Sequence, residues 1–191
     1  MPRVVDHEER RAQVAAAVWR VVSAEGLEAV TVRRVAAETG MSTSVVSHYF
    51  AGKHDLLRLA FRLALDRGQA RAEAQVRAGS GLARALLVTG LPLDAERRTE
   101  ARVWFSFLGL ALTRPDLAAE QRGAYRAWRG ALSAALREEG LAEGIDADAE
   151  AAALIALVDG LAVQAAFEPR RLPAARQLAL LDARLRALGV E

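Results

Sequence analysis

The sequence predicts an all-α protein of about nine helices, a three-helix helix-turn-helix head followed by a larger helical domain. Three observations lead there. Apolar residues recur every three or four positions along nearly the whole chain, and no run of alternating β-branched residues reads as a strand. Glycines and prolines fall at helix-length intervals. The rhythm changes near residue 52, from short helices to long ones, which places a boundary between residues 1–52 and 53–191.

The first helix is predicted from about Glu8 to Glu25. Asp6 and Glu9 have the spacing of a capping box, Val14, Val18, Val21 and Val22 make one apolar face, and Gly26 ends the run. Thr31 caps a short helix over Val32 to Thr39, which Gly40 stops. Ser42 caps a third helix that carries Val45, Val46 and Tyr49 and breaks at Phe50-Ala51-Gly52. A long helix follows, from Lys53 or His54 to about Arg77, and Gly79-Ser80-Gly81 forms a joint. Five further helices are expected at 82–91, 94–112, 115–139, 147–167 and 173–188. Pro92, Pro115, Gly140, Asp146 and Pro173 mark their ends.

Composition excludes several classes. The 191 residues include no cysteine, so disulfides and thiolate metal sites are out, and three scattered histidines (His7, His48, His54) do not suggest a metal centre. No nucleophile motif, phosphate-binding glycine loop or metal-ligand spacing is present, so neither an enzyme nor a cofactor is expected. No unbroken apolar stretch approaches the roughly 20 residues that span a bilayer, and no secretion signal follows Met1. The expectation is a soluble, cytoplasmic protein without a membrane partner. The formal net charge is only +2, so nucleic-acid binding must be argued from where charges sit.

Residues 31–50, TVRRVAAETGMSTSVVSHYF, place two short helices around a glycine-containing turn. A helix that enters a major groove about 12 Å wide must be short and must stand off its domain. Its inner side needs apolar anchors, here Val45, Val46 and Phe50. Its outer side needs small or polar groups, here Thr43, Ser44, Ser47 and His48. No acid occurs from Met41 to His54, which suits a surface facing phosphates. Arg33, Arg34 and Lys53, the only lysine in the chain, flank the segment.

These residues resemble the DNA-binding domain of the TetR family. The resemblance covers roughly residues 8 to 60 and rests on Thr31, Val35, Ala36, Gly40, Ser42, Tyr49, Phe50, Lys53, Leu56 and Leu57. Ser47-His48-Tyr49-Phe50 is similar to the form found in the choline-responsive BetI branch. Ser44 and Ser47 stand where the family often has glycine and tyrosine. The resemblance implies a dimeric regulator, most simply a repressor, that binds a pseudo-palindromic double-stranded DNA operator and is released by a small-molecule effector. It also implies that Tyr49 and Lys53 contact phosphates, that Thr31 and Arg33 or Arg34 touch the flanking backbone, and that Thr43, Ser44, Ser47 and His48 face bases.

In the larger domain Trp104, Phe105, Phe107, Tyr125 and Trp128 hold half of the chain's aromatic residues. Trp104 and Phe107 are three apart, as are Tyr125 and Trp128, so each pair is expected to share a helix face. They are candidates for an effector cage, with Glu100 or Asp159 to assist a cation, and equally for plain core. The last two helices are apolar on more than one face. Leu154, Ile155, Leu157, Val158, Leu161 and Val163 crowd the first, and Leu178, Leu181, Leu185 and Leu188 recur along the second. A homodimer through these two helices would cover them.

Overall fold

The computed structural model describes residues 7–190, with side chains from Glu9 onward. Among them all regular structure is helical. The elements are α1 (His7–Glu25), a 3-10 turn (Leu27–Ala29), α2 (Val32–Thr39), α3 (Thr43–Tyr49), α4 (Lys53–Arg77), α5 (Leu82–Val88), α6 (Ala95–Ala111), α7 (Pro115–Glu139), α8 (Ala147–Phe167) and α9 (Ala174–Ala187).

Local chemistry accounts for most ends. Thr31 Oγ1 accepts from the Arg34 amide at 3.1 Å, and Ser42 Oγ accepts from the Val45 amide at 3.3 Å. Asp94 and Asp146 cap α6 and α8 in the same way, at 2.8 and 2.9 Å. Gly40 ends α2 in the left-handed region (φ 70°), a conformation that costs a side chain energy and glycine nothing. Pro115 opens α7, where its missing amide proton leaves no helical bond unmade. Asp6, the other half of the proposed capping box, lies outside the described residues.

Two apolar clusters form the interior. In the first, Val14, Val18, Val21 and Val22 of α1 meet Val35, Val46 and Phe50, and the cluster continues through Leu56, Leu57 and Phe61 of α4 to Val103 and Phe107 of α6. The core of the head therefore runs past residue 52 and into the larger domain. Phe61 and Phe107 stack face to face there, with centroids 3.9 Å apart. The second cluster joins α5, the C-terminal half of α7, α8 and α9 around Leu87, Leu132, Leu136, Leu154 and Leu181.

The helix α8 has the length and mean hydropathy (1.6) of a membrane-spanning segment. It also carries Asp148, Glu150 and Asp159. Leu154, Ile155, Val158 and Leu161 are buried in the second cluster, so its apolar character serves a core helix.

Candidate nucleic-acid interface and effector cavity

The short helix α3 is held from one side. Val46 is fully buried, while Thr43, Ser44, Ser47 and His48 are all exposed. Val45, expected as an anchor, is only half-buried and lines a shallow groove with Arg10, Ser44, His48 and Tyr49. Ser44 and Ser42 share a hydroxyl–hydroxyl hydrogen bond of 2.8 Å at the start of the helix. The His48 and Tyr49 rings meet edge to face, 5.2 Å between centroids. The four outer residues thus form one continuous polar surface free of carboxylates.

The flanking cations differ from one another. Arg33 is exposed and has no ion-pair partner among the described residues. Arg34 bridges Glu25 (2.5 Å) and Glu38 (2.9 Å), tying the end of α1 to α2. Those two bonds hold its guanidinium pKa above the usual value, and Arg34 and Arg20 hold the Glu38 carboxyl below its own. Sequence reasoning treated Arg33 and Arg34 as equivalent. The structure gives Arg34 an internal task. Lys53, at the first residue of α4, pairs with Glu28 at 3.0 Å; Glu28 is 94% exposed. Such an exposed pair is worth little and is easily exchanged for a phosphate. Thr31 is exposed, and its hydroxyl is engaged as the α2 cap.

A cavity of about 740 Å³ lies between the two apolar clusters, walled by α4, α5, α6, α7 and α8. Three of the five aromatic candidates line it: Trp104, Tyr125 and Trp128. Phe105 and Phe107 do not. Phe107 is buried against Phe61 in the first cluster, and Phe105 rests half-buried beside Trp104, 5.1 Å between centroids. Residues three apart on a helix point about 60° from each other. On α6, which separates core from cavity, that angle is enough to send Trp104 and Phe107 to different neighbours.

The charged groups of the wall are Glu73, Arg77, Arg97, Glu100 and Asp159; Arg77 pairs with Glu73 and Arg97 with Asp94. Glu100 is buried and is met by both terminal nitrogens of Arg71. Burial pushes its carboxyl pKa up, and the Arg71 guanidinium offsets only part of that rise. Asp159 accepts a 2.6 Å hydrogen bond from the Tyr125 hydroxyl. It has no cationic partner among the described residues. Burial therefore raises its carboxyl pKa, and only the Tyr125 bond opposes that. Burial and the neighbouring carboxylate in turn raise the tyrosine pKa. Gln121 is buried in the same wall, with its Oε1 lacking a hydrogen-bond partner. Sequence reasoning passed over Phe61, Arg71, Gln121 and Gly90, all placed by tertiary packing.

One helix serves both sites. Lys53 opens α4 beside the α3 surface, while Phe61, Ala64, Leu65, Gly68 and Ala72 of the same helix form cavity wall. Three ion pairs, Arg58 with Asp116 and Glu120 and Arg62 with Glu120, hold α4 to α7 at 2.7–2.9 Å. The Arg67 guanidinium lies 4.0 Å over the Trp19 ring of α1. No group of His, Asp or Glu residues that could hold a metal ion occurs among the described residues.

Comparison with known proteins gives matches along almost the whole chain. Residues 14–60 match the family "Bacterial regulatory proteins, tetR family", and residues 79–190 match "BetI-type transcriptional repressor, C-terminal". The HTH-type transcriptional regulator PksA of Bacillus subtilis is 34% identical over 175 residues, covering 90% of this chain and 85% of that one. A transcriptional regulator of Rhodococcus sp. is 36% identical with a TM-score of 0.77, covering 93% of this chain and 94% of that one. A Saccharomonospora viridis regulator solved with choline shares the fold at 24% identity, with a TM-score of 0.78, covering 94% and 96%.

Proposed function

This chain belongs to the TetR family of transcriptional regulators, and we propose that it acts as a homodimeric repressor released from its operator by a small molecule in the cavity. It is a regulator and not an enzyme. The observation that carries the fuller reading is α4, a single 25-residue helix with Lys53 at the DNA-facing end and the cavity wall along its length.

In this reading residues 1–52 are the DNA-binding head, and residues 53–191 bind effector and form the dimer. Thr43, Ser44, Ser47 and His48 face base edges in the major groove, and Tyr49, Lys53, Thr31 and Arg33 contact the phosphate backbone. Arg34 is kept as the brace between α1 and α2. The protein works in the cytoplasm, where its operator is. The outer faces of α8 and α9 support dimerisation. Ala152, Ala156, Val163 and Phe167 of α8 and Leu180 and Ala183 of α9 are exposed, and Phe167 is 82% exposed. Small and apolar residues on two adjoining helices suit a close two-fold packing with a second copy. Two heads related by that axis match an inverted repeat.

Release follows from preference between two states. An effector that fits the cavity better when α4 has shifted draws the population toward that arrangement and moves the heads off their spacing. The S. viridis regulator of the same fold was solved in complex with choline, which agrees with a small-molecule effector. The test is selection of the purified protein against a random duplex pool near physiological salt. The reading expects an enriched inverted repeat. Feeble binding with no motif, even at low salt, would overturn it.

A further inference from the structure

Assuming that the cavity is the effector site, its unpaired groups say what the effector brings. Asp159 is a half-buried carboxylate with one hydroxyl donor and no cation. Gln121 is buried, and its carbonyl oxygen accepts from nothing. A second buried carboxylate of the wall, Glu100, is already paired with Arg71. The cavity therefore holds one acceptor without a donor, the Gln121 oxygen, and one carboxylate, Asp159, whose single partner is the neutral Tyr125 hydroxyl. A buried polar group left in that state costs free energy, and a ligand that supplies the missing donor recovers it. Trp104 and Trp128 also line the cavity, and indole rings attract cations; the Tyr125 ring already has the Arg129 guanidinium 5.9 Å from its centroid.

Size and lining limit the rest of the molecule. A cavity of about 740 Å³ falls in the range of roughly 300–1,000 Å³ that holds drug-sized ligands. Leu65, Val76 and Leu82 are part of its wall and are themselves exposed, so the apolar lining continues outward past α4 and α5. A cation as small as choline would leave most of these walls without partner atoms. Choline offers a single donor, its hydroxyl, where a primary ammonium offers three.

We infer that the effector is a protonated amine on a bulky apolar body, its ammonium donating to Asp159 and the Gln121 carbonyl, and not a small quaternary ammonium ion. The raised Asp159 carboxyl pKa agrees, since a bound ammonium would restore the charge that burial disfavours.

The test uses one apolar body with four head groups, measured by calorimetry at neutral pH on the full chain: 4-phenylbutylammonium, its N,N,N-trimethyl derivative, 4-phenylbutanol and 4-phenylbutyrate. The expected order of affinity is that order, with the ammonium at least about tenfold tighter than the alcohol, and choline weaker than both cations. Asp159→Asn should abolish the advantage of the ammonium over the alcohol. Gln121→Met should remove the advantage of the ammonium over its trimethyl derivative. An alcohol as tight as the ammonium, or a trimethyl derivative tighter than it, would overturn the inference and leave the cavity as an effector site of other chemistry. Should none of the four bind, the effector-site reading itself fails, and this inference with it. The four-ligand series on the unaltered protein stands whether or not either variant folds.

Discussion

Replacing Gly90 by alanine should destabilise this protein, contrary to the usual effect of that change. Gly90 follows α5 and does not use positive φ, so its backbone would accept alanine. On backbone entropy alone the substitution would stabilise by about 0.4–1 kcal/mol. Space decides otherwise. A Cβ at Gly90 would lie 2.6 Å from Val158 Cγ1 and 3.1 Å from Trp128 Cη2. Carbon atoms in contact prefer about 3.5–4.0 Å, so the first approach is short by about 1 Å. Val158 is fully buried on α8. Overpacking of this kind costs about 1–3 kcal/mol, which against the entropic gain leaves a net loss of up to about 2.6 kcal/mol, centred on about 1–2 kcal/mol. For a chain of this length each kcal/mol moves the melting temperature by about 2–4 °C. The expected fall is thus about 2–8 °C, read by far-ultraviolet circular dichroism. Adding Val158→Ala should make the Gly90→Ala change cheaper than it is alone, because the two sites share one contact. A melting temperature unchanged or raised in Gly90→Ala would refute the reasoning. So would additive behaviour of the pair.

Four other outcomes follow from the same geometry. Lys53→Ala should weaken binding to all DNA sequences and reduce the salt slope by about 1, whereas Glu28→Gln should tighten binding with stability nearly unchanged; salt titrations of duplex binding check both. Arg33→Ala should lower DNA affinity without lowering the melting temperature, and Arg34→Ala should lower the melting temperature through loss of its Glu25 and Glu38 partners. Ser42→Ala, removing the α3 cap, should cost about 0.5–2 kcal/mol in denaturant unfolding. Asp159→Asn should melt higher than the unaltered protein at neutral pH. Because the folded-state pKa of Asp159 is raised, its ionised form disfavours folding above that pKa, and the advantage of asparagine should shrink as pH falls through it.

The head was legible because its rules are local. The four valines of α1, the caps at Thr31 and Ser42 and the left-handed stop at Gly40 are all set by neighbours within four residues, and all stand as the spacing predicts. The helix ends at Lys53, Arg77, Pro115, Glu139, Ala147 and Phe167 are legible for the same reason. The cavity was half-legible. Aromatic clustering located Trp104, Tyr125 and Trp128, but spacing could not show that α6 separates core from cavity and turns Phe107 away. Gly90 was invisible, since its need for glycine comes from Val158, far along the chain. The difference between Arg33 and Arg34 likewise depends on where the end of α1 brings Glu25.

The central claim is that the outer face of α3 reads bases, and it is tested most directly by repeating the DNA selection with His48→Ala beside the unaltered protein. The account predicts that both proteins enrich an inverted repeat of the same half-site spacing, with base preference altered at one position in each half-site and at its symmetry mate. An identical motif from the two proteins would contradict it. His48 would then be only an exposed residue on α3, and base readout would have to be sought on another surface.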